Sequence, residues 1–245
     1  MNELLTGKHL NGEPSDIDRE RILDQVIVSV IPDANPDGRS RSPERFWDGS
    51  RWSNDEFWCW MRGKDRETGK MWKRLGLWST RMEKDHPTPV GIVYEQISDH
   101  EYVEPNRSKR SSLFRLVKLL RDRHEYEQML SLHQTEFVNS EYNCMVILPT
   151  LQDELSEERQ RYNREWAEEV VEAWGCAGGN PVPESKPLGY KGEQREYFVR
   201  VWGDLYHKVA VITSEVQNNN SRTPPEMQMR LSETALRASV ERLLR

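Results

Sequence analysis

Cysteine is scarce in this sequence and poorly placed for chemistry. The three present, Cys59, Cys144 and Cys176, are far apart and include no CxxC pair. An odd, scattered set of thiols excludes a disulfide framework and a thiolate metal cage, and it points to a reducing compartment, so a cytoplasmic location is expected. Long apolar runs are missing as well. No stretch approaches the roughly 18 apolar residues that a membrane helix needs, and Met1-Asn2-Glu3 opens no charged-then-apolar signal sequence. Basic charge is not in excess: 35 Lys and Arg stand against 41 Asp and Glu, a formal charge of -6. The basic runs Arg39-Ser40-Arg41 and Arg107-Ser108-Lys109-Arg110 are local. Neither a nucleic acid nor a membrane is therefore an expected partner.

What is there suits one α/β domain. The 245 residues are long enough for a sizeable core, and the apolar fraction of 36% against a charged fraction of 31% limits that core to a few strands and one face of each helix. Met1 to Thr6 reads as a helix end closed by Gly7, followed by a short helical stretch around Asp16 to Asp24. Residues 25–31 (QVIVSVI) are β-branched and of strand length, and Asn35-Pro36-Asp37-Gly38 after them is turn chemistry. Residues 39–88 hold six of the nine tryptophans without a clean period, a structured excursion whose rings either pack it onto the body or wall a binding site. Val90 to Tyr94 reads as a short strand, Ser111 to Gln128 as a helix and Met129 to His133 as a strand. Asn143 to Pro149 is a further strand. The helix Glu154 to Trp174 has Leu155, Tyr162, Trp166, Val170 and Trp174 on one face. Mixed residues run to Tyr206, then a strand Lys208 to Glu215 and a last helix Pro225 to Leu244. Alternating strands and helices predict an α/β fold with a mixed, mostly parallel sheet and helices on both faces.

Polar residues gather where strands end. Asn35-Pro36-Asp37-Gly38, His133 and Glu215 each follow an apolar strand, and ligands of open α/β sheets collect outside carboxyl strand ends. Taken singly, His133 reads as a hydrogen-bonded structural residue or a metal ligand, and Glu215 as a solvated or a catalytic carboxylate.

In order along the chain, four segments resemble motifs of the zinc metallocarboxypeptidases, the carboxypeptidase A-like family. Val28 to Gly38 (VSVIPDANPDG) looks like the strand ending in NPDG, and Val103-Glu104-Pro105-Asn106-Arg107 like the D-x-N-R motif. Leu130-Ser131-Leu132-His133 resembles the strand that ends in the third zinc ligand, and Val211 to Glu215 the strand that ends in the catalytic glutamate. The resemblance implies one zinc ion held in part by His133, Glu215 as general base, and Asn106 and Arg107 on the substrate's terminal carboxylate. It implies a peptide or peptide-like substrate with a free carboxylate. Arg45 and Arg51 are candidates to polarise the carbonyl, and Tyr197 or Tyr190 the substrate-facing tyrosine.

The departures are specific. The first two zinc ligands of that family come from an upstream HxxE, and none precedes Asn35 here; His9 and Glu13 are four apart and read as loop residues. The expectation is a single domain over 1–245 that lacks its N-terminal HxxE segment and carries a Trp-rich insertion at 39–88. On this reading the full-length protein is a zinc hydrolase and this exact chain is inactive. The alternatives are a deacylase of N-acyl amino acids on the same fold, or a non-catalytic ligand-binding module.

Overall fold

A computed structural model describes residues 2–9, 11–43, 52–135, 140–218 and 222–245. Among the described residues four helices come first, α1 (Asn2–Thr6), α2 (Arg19–Gln25), α3 (Pro36–Ser40) and α4 (Asn54–Arg62). Three short strands follow, β1 (Trp78–Ser79), β2 (Glu95–Gln96) and β3 (Glu101–Val103), paired antiparallel in the order β1-β3-β2. The body then runs α5 (Ser112–Arg123), β4 (Gln128–Thr135), β5 (Cys144–Leu148), α6 (Glu157–Cys176), β6 (Lys186–Pro187), α7 (Gly192–Lys208), β7 (Ala210–Gln217) and α8 (Pro225–Arg242).

The body is a mixed four-stranded sheet in the order β4-β7-β5-β6, with β4 and β7 parallel and β5 antiparallel to β7. Side chains alternate across it. Ala210, Ile212 and Val216 pack with Val146 and Leu148 against Trp166, Val170 and Trp174 of α6 and Leu231 of α8. Val209 and Val211 turn the other way, onto Leu205, Trp202 and Val201 of α7 and Val117 of α5. Helices thus cover both faces, as the alternation of elements predicts.

Local chemistry explains most boundaries. Ser156 caps α6 by accepting from the Arg159 N–H, and Glu157 and Glu158 complement the positive helix start. The four-residue spacing of Tyr162, Trp166, Val170 and Trp174 then makes one buried stripe. Ser53 and Glu56 form a reciprocal capping box that starts α4 inside the Trp-rich stretch. That stretch is no featureless excursion: Trp72 stacks on Trp78 at 4.2 Å, and with Tyr94 they form a small core of their own.

Several sequence expectations are corrected. Residues 25–31 form no strand. Gln25 ends α2, and Ile27 and Val30 are 62% and 48% exposed, because β-branched composition makes a strand only where a ladder partner is in register. Val90 to Tyr94 is a turn leading into β2. The mixed stretch before Tyr206 is the long helix α7, whose Val201, Trp202 and Leu205 share its buried face. Asn35 does not make a simple β-turn; it caps α3, accepting from the Gly38 N–H at 2.9 Å while its amide reaches the carbonyls of Ile92 and Val93. Gly38 is needed there, since a Cβ would stand 1.9 Å from the Ile92 oxygen.

Candidate functional site

The parallel ladder between β4 and β7 sets His133 directly opposite Glu215. Register partners project from the same face of a sheet. Two residues back along each strand, Ser131 pairs with Thr213, and four back, Met129 pairs with Val211 on the α5 and α7 side, so His133 and Glu215 lie on that side too. Both are half-buried. Burial holds the His133 imidazole below its ordinary pKa of 6.5, and the positive charges of Arg107 and Arg74 push the same way. At neutral pH the ring is therefore uncharged and has a lone pair to offer.

The arginines come from elsewhere in the chain. Pro105–Arg107 is a single 3-10 turn docked on α7, and the Trp202 indole donates to the Asn106 carbonyl at 2.9 Å. Arg107 is only 3% exposed and forms an ion pair with Glu104, equally buried. The Arg74 Nε donates to the same carboxylate at 2.9 Å, so two guanidiniums share one acid and the group keeps a net positive charge. The Arg107 guanidinium lies over the Phe198 ring at 4.8 Å, and Tyr190 stacks on Phe198 at 5.0 Å. Burial pulls the Arg107 pKa down to about 9, the charge of Arg74 adds to that and Tyr190 opposes it, which still leaves Arg107 protonated at neutral pH. Its Nε is buried and has no hydrogen-bond partner among the described residues.

The predicted residues divide by place. His133 and Glu215 are adjacent, and Arg107 lies within electrostatic reach of His133. Asn106 is half-buried beside Arg107. The Tyr197 hydroxyl faces Gly76 and its ring lies under Arg200 at 4.9 Å, and Tyr190 lies against Arg107. Arg45 and Arg51 lie outside the described residues. Sequence reasoning missed Glu104, Arg74 and Phe198. Glu104 had a signal, three residues before Arg107 on the same turn; Arg74 sits among the tryptophans with none. A shallow surface pocket lined by Glu95, Gln96, Arg110, Ser112 and Arg115 holds none of these residues.

Among the described residues, the donors at His133 do not complete a zinc site. A zinc site takes three or four protein ligands converging on one point. Among the described residues the one such convergence of histidine, cysteine and acidic donors is Glu3, His9 and Glu233, and it does not include His133.

No protein-family model matches the sequence, and no curated protein does. Among solved structures, a metallo-carboxypeptidase from Burkholderia cenocepacia is similar at 14% identity and a TM-score of 0.40, over 57% of this chain and 38% of that one. An N-acetylmuramyl-L-alanine amidase from Mycobacterium smegmatis is similar at 11% identity and a TM-score of 0.38, over 56% and 65%. The chain thus spans less than two thirds of either structure, and likeness at this level assigns no residue a role. No helix among the described residues is long and apolar enough to cross a membrane.

Proposed function

We propose that the ends of β4 and β7 form a carboxypeptidase-type site that takes a peptide or peptide-like amide by its free carboxylate. The observation that carries this reading is the pairing of His133 with Glu215 within electrostatic reach of buried Arg107 and half-buried Arg74, which share one acid, Glu104. Arg107, with Arg74 on the same acid, supplies the charge for the ligand's carboxylate, and a planar guanidinium can grip it through two parallel N–H bonds. Asn106 is the neighbouring donor. Glu215 takes a proton from the attacking water and passes it to the leaving amine. His133 stays neutral and offers its lone pair.

Zinc chemistry at His133 requires donors beyond the described residues. That same shortage favours a second reading, in which the site binds the carboxylate without turnover. The test is a panel of an N-acyl dipeptide acid, its C-terminal amide and an N-acyl amino acid, with binding read by calorimetry and products by mass spectrometry. Products from the dipeptide acid that Glu215→Gln abolishes support the peptidase, and products from the N-acyl amino acid alone support the deacylase. Preferential binding of the acid without products supports the binding module. Equal affinity for acid and amide sinks all three.

A further inference from the structure

The N-terminal segment closes on itself and carries two side chains to the last helix. The Gly7 N–H donates to the Glu3 carbonyl at 2.8 Å, the Ser15 N–H to Gly7 at 2.9 Å and the His9 N–H to Glu13 at 2.9 Å. The Asn2 amide reaches the carbonyls of Lys8 and His9 at 2.8 and 3.1 Å. This loop sets Glu3 beside His9, and α8 brings Glu233 to them. His9 Nδ1 stands 3.2 Å from Glu3 Oε1 and 3.2 Å from Glu233 Oε1, with the three side chains only 29%, 11% and 24% exposed.

Hydrogen bonding alone accounts poorly for this arrangement. Nδ1 carries at most one hydrogen, yet two carboxylates face it. Arg237, one turn further along α8, is engaged by Asp16 and Glu241. A divalent cation relieves such a meeting of acids, and the 3.2 Å from Nδ1 to each carboxylate oxygen is close to what one needs, since donors about 2.0–2.1 Å from a tetrahedral zinc ion stand about 3.3–3.4 Å from one another; all three donor atoms lie within 4.8 Å of one another. The donors are also oriented, since the Ser15 hydroxyl donates to Glu3 Oε1 at 2.5 Å, the kind of outer contact that fixes a ligating carboxylate.

We propose that Glu3, His9 and Glu233 form a zinc-type divalent-metal site with one imidazole nitrogen, two carboxylate oxygens and an open fourth position for water. It is separate from His133 and independent of the function proposed above. The ion joins α1 and the loop after it to α8, so it stabilises the folded chain as it binds.

The test is calorimetric titration of the tag-free 245-residue chain with zinc after chelator treatment, with magnesium in parallel and thermal melts with and without zinc. One zinc per chain is expected, with no comparable magnesium binding and a melting temperature a few degrees higher. His133→Ala should leave this unchanged, whereas His9→Ala and Glu233→Gln should weaken zinc tenfold or more and remove the rise in melting temperature. Glu233→Gln preserves side-chain shape, so its metal-free melt should match the parent and separate lost binding from lost folding. Absence of stoichiometric zinc, or binding that survives His9→Ala and Glu233→Gln, overturns the proposal.

Discussion

Arg107 and Glu104, three residues apart on one 3-10 turn, form an ion pair with both side chains almost wholly buried, and Arg74 joins it from outside. A buried charge is costly once its partner is gone. Glu104→Gln leaves two guanidiniums facing each other and should cost about 3–5 kcal/mol of stability, near the range for breaking a buried pair. Arg107→Met should cost less, because Arg74 still neutralises Glu104, and the more exposed Arg74→Ala least of all. Urea unfolding of the three variants checks the order; equal losses would mean that the carboxylate is not shared.

His133 gives the chain a pH signature. Its pKa is lowered in the folded state from the ordinary 6.5, chiefly by burial. The unfolded chain therefore takes up that proton first. This contribution to stability is complete above about pH 6.5 and is lost as the pH falls through the folded value. Unfolding midpoints measured between pH 5 and pH 8 should decline on the acid side, and His133→Gln should flatten the decline. A variant that follows the parent at every pH would remove His133 as the cause.

Between α6 and α8, the indole N–H of Trp166 donates to the Ser239 hydroxyl at 2.9 Å, and both residues are buried. Ser239→Ala leaves that N–H without its acceptor and should cost about 1–3 kcal/mol. Trp166→Ala empties the site and should cost about 3–5 kcal/mol. Denaturant titration distinguishes them; a neutral Ser239→Ala would mean that water replaces the hydroxyl.

The three thiols should react unequally. Cys176 is exposed, Cys59 half-buried and Cys144 buried, and burial pushes the Cys144 pKa up to about 12. Brief alkylation of the native chain should label Cys176 first and leave Cys144 untouched until denaturant is added, as intact-mass analysis reads directly.

Local patterns were the legible part of this fold. The four-residue spacing of Tyr162, Trp166, Val170 and Trp174 identified the buried face of α6, and the apolar runs identified β4, β5 and β7. The Ser53 and Glu56 capping box is equally local, but the residues around it have no clean period that would mark a helix. α7 was hidden because Gly203 and its many charges interrupt the stripe of Val201, Trp202 and Leu205. The strand expected at 25–31 failed for a non-local reason, since pairing depends on a partner that composition does not reveal. The site divides in the same way. His133 and Glu215 were readable as strand ends, but their register belongs to the sheet, and the approach of Arg74 to Glu104 spans 30 residues of sequence.

If Arg107 makes the strand-end site a reader of carboxylates, its planar guanidinium sets the preference for an acid over an amide. The most direct measurement compares the affinities of the parent and Arg107→Lys for an N-acyl dipeptide acid and for its C-terminal amide. Lysine keeps the charge but loses the planar two-pronged grip. The parent should prefer the acid by tenfold or more, and Arg107→Lys should lose most of that preference while its affinity for the amide and its melting profile stay close to the parent's. A preference for the acid that survives the substitution intact would contradict the claim.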